Sequence, residues 1–221
     1  LKQQPTSFEN YAEVLAKLGY PVKPNFTSLF IDKNGRTTVS LPETIGNKET
    51  QQKWIGIAPF AAHEGKIYPT ELMEKVIDII IKRHPSCRIF LFGSGEKEKT
   101  IFEKWTSKYP QCTDTSVILN GLREELVLMK YLDAMITMDS ANMHLASLVA
   151  VPVVSIWGAT HPFAGFMGWN QNIDNAIQAD MPCRPCSIYG NKSCMRGDYA
   201  CLKNIAPETI ANKIETILLK K

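Results

Sequence analysis

The chain is 221 residues long, 44% hydrophobic and 21% charged, with a formal net charge of +3, enough to bury one substantial core with an appendage or two small domains. Lys and Arg alternate with Asp and Glu along its length, and without a basic stripe nothing calls for nucleic acid. No apolar stretch is long enough to cross a membrane, and Leu1-Lys2-Gln3-Gln4-Pro5 lacks the basic start and apolar middle of a signal peptide, so a cytoplasmic protein is expected.

The absence of an initiator Met points to a piece of a longer protein. Residues 7 to 19 carry a helical period through Phe8, Tyr11, Val14, Leu15 and Leu18, ended by Gly19-Tyr20-Pro21. A Pro-, Asn- and Thr-rich stretch of low regularity follows, so residues 1–53 read as the remnant of an N-terminal domain plus an interdomain linker.

From Trp54 onward strands and helices alternate. Trp54 to Ala58 is a short buried strand, and Thr70 to Arg83 a helix with Leu72, Val76, Ile79 and Ile80 as its apolar face. Arg88 to Phe92 is the next strand, stopped by Gly93-Ser94-Gly95, with Glu96 to Lys108 helical after it. Ser116 to Leu119 reads as the third strand, followed by a helix from Arg123 to about Tyr131. A strand then ends at Asp139 and a helix runs on to Ala150; Val153 to Trp157 is another strand, one more lies near Ile177, and Pro207 to Leu219 closes the chain as an amphipathic helix. Continuous β-branched runs separated by helices predict an α/β fold over residues 54–221, a Rossmann-like parallel sheet covered by helices on both faces.

In such sheets ligands bind outside the carboxyl ends of the strands, which collects scattered residues on one rim. The junction Ala134 to Ser147 is the most informative part of it. Its apolar run stops at Asp139, Ser140 is a natural N-cap, and the amides of Ala141, Asn142 and Met143 at the helix start are left to bind an anion. His144, in the first turn, can donate to a phosphate oxygen, and Asp139 can accept from sugar hydroxyls. Around this junction lie Lys66, able to neutralise a diphosphate; Gly93 and Gly95, which let backbone approach a ligand; Glu96, able to accept from ribose hydroxyls; Asn120-Gly121; and Gly158 to Pro162, which contains Thr160. Each also has an ordinary structural explanation: a cap, a turn or a solvated surface residue.

Residues 54 to 220 resemble the C-terminal, donor-binding domain of glycosyltransferase family 9, the family of the lipopolysaccharide heptosyltransferases, which has the two-domain GT-B fold. The resemblance is carried by Ala58-Pro59 followed by Lys66-Ile67-Tyr68-Pro69, by Leu91 to Glu96, by Asp139 to Ala146 and by Pro152 to Thr160. It implies an ADP-heptose or a related nucleotide sugar as donor and a lipopolysaccharide core as acceptor, which would bring the protein near a membrane surface. It also implies inverting transfer with no cofactor or catalytic metal required. On this resemblance Lys66 contacts the diphosphate, Glu96 the ribose and Asp139 the transferred sugar, while Ser140, Ala141, Met143 and His144 cradle the phosphates, with Gly93, Gly95 and Thr160 completing the donor site. Two departures accompany it: Ala61-Ala62 stand where family members often have hydroxyl residues, and Leu122-Arg123 where small polar residues are expected. The resemblance also puts the acidic residue that deprotonates the acceptor in the N-terminal domain, so no catalytic base is expected here, and the chain is expected to bind donor without turnover.

Of the six cysteines, Cys87 and Cys112 read as isolated thiols, Cys112 in a polar loop. Cys183, Cys186, Cys194 and Cys201 fall within a Cys-rich loop at 181–203, opening with Cys-Arg-Pro-Cys, and are candidates for a structural zinc ion; free thiols or a disulfide are the alternatives. The segment Phe163 to Trp169 is unusually aromatic for a loop, either packed on the sheet or forming a wall of the site. Two other readings remain: a GT-B nucleotide-sugar 2-epimerase, which would prefer UDP sugars, and a Cys-loop interaction module that binds no nucleotide.

Overall fold

A computed structural model of the chain describes residues 1–220; Lys221, the last residue of the expected sheet domain, lies outside them. Six strands, β1 (Trp54–Ala58), β2 (Arg88–Leu91), β3 (Cys112–Asp114), β4 (Ala134–Met138), β5 (Val153–Trp157) and β6 (Ala176–Gln178), form one sheet in the order β3-β2-β1-β4-β5-β6. Every neighbouring pair is parallel. The strand order reverses between β1 and β4, and that reversal opens a crevice at their carboxyl ends.

Both faces of the sheet are covered, as continuous apolar strands require. Side chains alternate between two cores along each strand: Ile55, Ile57, Ile89 and Leu91 face one, Trp54, Ala58, Phe90 and Phe92 the other. The first is closed by α2 (Thr70–Arg83), α3 (Glu96–Lys108) and α8 (Pro207–Leu218), and the second by α5 (Leu122–Tyr131) and α6 (Ala141–Leu148). Helix α2 buries Met73, Val76, Ile77 and Ile80. These occupy one stripe at i, i+3, i+4 and i+7, while Leu72 and Ile79 flank it half-buried, so the apolar face is rotated slightly from the one expected. His84, just past the end of α2, hydrogen-bonds Glu215 of α8 at 2.8 Å and ties the two helices together.

The third strand lies earlier than its sequence pattern indicates. Residues 112–114, not 116–119, pair with β2, Ile89 opposite Cys112. Asp114 then accepts hydrogen bonds from the Ser116 amide at 2.9 Å and hydroxyl at 2.7 Å, and this cap starts the short helix α4 (Thr115–Ile118). The β-branched Val117, the apparent centre of a strand, is 73% exposed on that helix. Cys112 is therefore buried on an edge strand rather than in a polar loop. Asn120-Gly121 thus follows α4 rather than a strand.

Within residues 1–53, α1 (Ser7–Lys17) is held by a Thr6–Glu9 capping box and buries none of its residues. It meets the body through Phe8, edge-on to Trp169 at 5.1 Å, and through the Ser7 amide, which donates to the Gly165 carbonyl at 3.2 Å. Residues 26–52 lie along the second core, where Ile45 is buried, Tyr131 Oη donates to the Val39 carbonyl and Arg88 to that of Ile45. Asp133 binds this segment to the sheet by accepting from Lys48 Nζ at 2.7 Å and from the Trp54 amide at 2.8 Å.

Replacing Asp133 with Ala strands the amide of a fully buried residue and removes a partly buried ion pair. The expected cost is about 1–3 kcal/mol, read as a lower urea midpoint with an unchanged slope; Lys48→Met, which leaves the Trp54 amide satisfied, should cost less.

Candidate functional site

A cleft of about 540 Å³ opens at the carboxyl ends of β1, β2 and β4. Its floor comes from Phe60, Ala61 and Ala62 after β1, Phe92, Gly93 and Ser94 after β2, and Asp139 to Asn142 at the start of α6. Phe166, from the loop after β5, and Ile188 and Tyr189, from the Cys-rich loop, form a wall.

Six of the ten expected site residues line the cleft: Lys66, Gly93, Asp139, Ser140, Ala141 and His144. Lys66 ends a single 3-10 turn (Glu64–Lys66), which the Ala159 amide tethers by donating to the Gly65 carbonyl at 2.8 Å. From there Lys66 Nζ reaches Asp139 Oδ2 at 3.0 Å, with 16% of its side chain exposed against 6% of the aspartate's.

Ser140 occupies the N-cap position of α6, yet its side chain makes no capping bond. Its Oγ is buried and has no hydrogen-bond partner among the described residues, a condition that costs about 1–3 kcal/mol unless something else satisfies it. Beside it, Ala141 and Asn142 head the helix, where no preceding turn supplies a carbonyl for their amides. An anion accepting from the Ser140 hydroxyl and these amides would also meet the positive end of the helix dipole.

The other four residues do different work. Thr160 is fully buried beneath the cleft, and its Oγ1 donates to Asp139 Oδ2 at 2.8 Å; it positions the aspartate and cannot itself meet a ligand. Met143 is buried in the second core, and its amide donates to the Ser140 carbonyl at 3.2 Å, so it is not one of the anion donors. Gly95 adopts φ +113° to start α3 and lies outside the cleft. Glu96 is exposed on the first turn of α3, and the carboxylate that turns into the cleft is Glu98. Glu98 Oε2 accepts from the Ser94 amide at 2.7 Å, and any side chain at Gly93 would collide with it. Burial raises the Glu98 carboxyl above its ordinary range, against the lowering effect of the Ser94 bond. Both carboxylates lie in the first turn of α3, and only helix phase separates them.

The aromatic segment divides its labour. Trp169 turns inward, donating to the Phe26 carbonyl at 2.9 Å, whereas Phe166 lines the cleft and stacks on Tyr189 with centroids 5.8 Å apart and planes 26° apart. All four cysteines of the 181–203 loop are free thiols. Among the described residues, no group of three or more His, Cys, Asp or Glu is placed to hold a metal ion. No described helix is long and apolar enough to cross a membrane.

A sequence model of glycosyltransferase family 9 (heptosyltransferase) matches residues 3–194. Lipooligosaccharide heptosyltransferase 2 of Campylobacter jejuni is 25% identical over 208 residues, which cover 91% of this chain and 57% of that protein. Among solved structures, a family 9 glycosyltransferase from Veillonella parvula superposes with a TM-score of 0.67 at 19% identity, covering 99% of this chain and 61% of its own. The E. coli heptosyltransferase WaaC with ADP superposes with a TM-score of 0.64 at 17% identity, covering 98% and 58%. The chain thus has the fold of these proteins and spans a little over half their length.

His144 carries a testable consequence of the cleft's electrostatics. Burial pushes its pKa below the ordinary value of 6.5, Asp139 opposes this and Lys66 adds to it, so the ring is neutral at pH 7. The folded state therefore binds fewer protons here than the unfolded chain; the stability involved is present above the unfolded value and lost as pH falls through the lower folded one. The urea midpoint of the wild type should drop more between about pH 7.5 and pH 5.5 than that of His144→Gln. Equal drops would remove His144 from the account.

Proposed function

The chain belongs to glycosyltransferase family 9, and from that membership and the cleft we propose that it forms the donor-binding, C-terminal half of an inverting transferase. The observation that carries this reading is the buried, unpartnered Ser140 hydroxyl at the start of α6, with Lys66 and Asp139 in the same cleft. A donor diphosphate satisfies that hydroxyl together with the Ala141 and Asn142 amides, and Lys66 supplies the positive charge. Neutral His144 serves as a hydrogen-bond donor. Asp139, fixed by Thr160 and Lys66, takes hydroxyls of the sugar, and Glu98 rather than Glu96 takes those of the ribose.

The chemistry follows from this placement. The acceptor oxygen attacks the anomeric carbon from the face opposite the diphosphate; the bond from that carbon to the diphosphate oxygen breaks, and its electron pair leaves with the diphosphate. The helix terminus and Lys66 stabilise the developing negative charge. Holding donor and acceptor together supplies a further part of the acceleration. Of the cleft's two carboxylates, Asp139 is paired with Lys66 and Glu98 with the Ser94 amide, so the group that takes the acceptor's proton is assigned to the other domain of the whole protein.

The proposed donor is an ADP-heptose or a related ADP-sugar, and the proposed acceptor a lipopolysaccharide or lipooligosaccharide core. Family membership favours transfer over 2-epimerisation. The Cys-rich loop reaches into the cleft through Ile188 and Tyr189, which favours a part in this site over an independent interaction module.

Calorimetric titration with ADP and UDP tests the reading. ADP should bind in preference to UDP, and Lys66→Ala should weaken ADP at least tenfold, or about 1.4 kcal/mol. Ser140→Ala should weaken it about threefold to tenfold. ADP binding indifferent to both changes would overturn the placement, and a preference for UDP would restore the epimerase alternative. Incubated with ADP-heptose and a lipopolysaccharide core, the chain alone should yield no product by mass spectrometry; product formation would contradict the assignment of the base.

A further inference from the structure

Two large apolar side chains in the wall of the cleft stand open to solvent: Ile188 is 59% exposed and Tyr189 62%. Apolar surface left uncovered on the rim of a polar cleft is a mark of a ligand's resting place. Tyr189 is also not loosely held. Phe166 stacks behind it at 5.8 Å with planes 26° apart, and the pair comes from two different loops. The next residue, Gly190, has φ +76° and sits so close to Lys66 that an added Cβ would lie 2.7 Å from both Cγ and Cδ of the lysine and 3.2 Å from Thr160 Cγ2. The Gly190 amide donates to Ser187 Oγ at 2.8 Å, and the Cys186 amide to the Ala159 carbonyl at 2.8 Å. The ring of Tyr189 is thus fixed one residue away from the stem of the lysine that pairs with Asp139.

We propose that the stacked Phe166–Tyr189 pair is the platform on which the transferred sugar of a nucleotide-sugar donor lies, with Tyr189 against the apolar face of the ring and Asp139 against its hydroxyls. This deepens the reading of the cleft as a donor site and rests on it. A pyranose has one face made largely of C–H groups, and these meet the negative face of an aromatic ring favourably while the hydroxyls point outward to polar partners.

The strand order separates this platform from the nucleoside. Glu98 and Ser94 stand at the end of β2, and Phe166 follows β5, with β1 and β4 between them. Three strand spacings amount to about 14 Å, a span that a diphosphate seated at Ser140, after β4, bridges with nucleoside on one side and sugar on the other. Tyr189 lies on the sugar's side of the crevice because a Cβ at the adjacent Gly190 would run into Lys66 and Thr160, both of which hold Asp139.

Calorimetry on the 221-residue chain with ADP and with ADP-heptose separates the two sides. Tyr189→Ala, at a position exposed enough to leave folding intact, should weaken ADP-heptose about fivefold to twentyfold while changing ADP by less than about twofold. Tyr189→Phe, which keeps the ring and loses only the hydroxyl, should restore sugar binding. Equal weakening of ADP and ADP-heptose by Tyr189→Ala would place the nucleobase on the ring and overturn the proposal, as would no effect on either. Those failures leave ADP binding dependent on Lys66 and Ser140, so the donor-site reading would survive them; a wild-type chain that binds neither ligand would overturn both.

Discussion

Asp139 is 4% exposed, and a carboxylate buried to that extent persists only with partners of its own. It has two, and they reach the same oxygen from opposite sides of the sheet crevice: Lys66 at 3.0 Å, from the turn after β1, and Thr160 at 2.8 Å, from the loop after β5. One carboxylate at the end of β4 therefore fixes the relative positions of three loops. Because it also pairs with the only cationic side chain among the cleft's lining residues, anion binding here has to draw on neutral donors as well. The Ser140 hydroxyl, the first amides of α6 and the uncharged His144 provide them.

Much of this was readable from the sequence because its signals are strong ones. Parallel strands buried on both faces have to be largely apolar, and the four central ones, β1, β2, β4 and β5, announce themselves that way. The third does not: Cys112-Thr113-Asp114 is polar for an edge strand, and the more apolar Ser116 to Leu119 next to it looked the better candidate. What decides the matter is local chemistry rather than hydrophobicity. Asp114 captures both donors of Ser116 and turns the chain into a helix, a preference of Asp that competes directly with strand extension.

At the site, the sequence identifies which loops meet but not which side of each element turns inward. Glu96 and Glu98 both open α3, and only helix phase assigns the cleft to the second. The sequence offers Ser140 as the N-cap and the Met143 amide as an anion donor; the Met143 amide is spent on the Ser140 carbonyl, whereas the Ser140 hydroxyl has no partner among the described residues. Thr160 was placed with the ligand, but its contact is one layer deeper, to Asp139. Tyr189 had no signal of its own, since its place depends on the path of a long irregular loop over a surface assembled from distant strands.

That loop is irregular from Met181 to Tyr199, and with no helix or strand of its own over that stretch it needs tertiary anchors to be ordered. Its entry is fixed by Arg184, whose buried guanidinium donates to the carbonyls of Trp157, Gly158, Thr160 and Ala179. No carboxylate lies within ion-pair distance of it among the described residues, so its charge is balanced chiefly by the carbonyl dipoles following β5 and β6. Its exit is fixed by Cys201 and Leu202, buried on the short helix α7 (Ala200–Lys203). Pinning both ends removes the closure entropy from the cost of ordering the segment between them. The middle then needs only one close contact to be oriented, and Gly190 against the Lys66 stem provides it. Three of the four carbonyls that hold Arg184, those of Trp157, Gly158 and Thr160, belong to the backbone carrying Thr160, so the anchor of the loop and the support of Asp139 are one piece of structure. A change that loosens the first should be felt at the second.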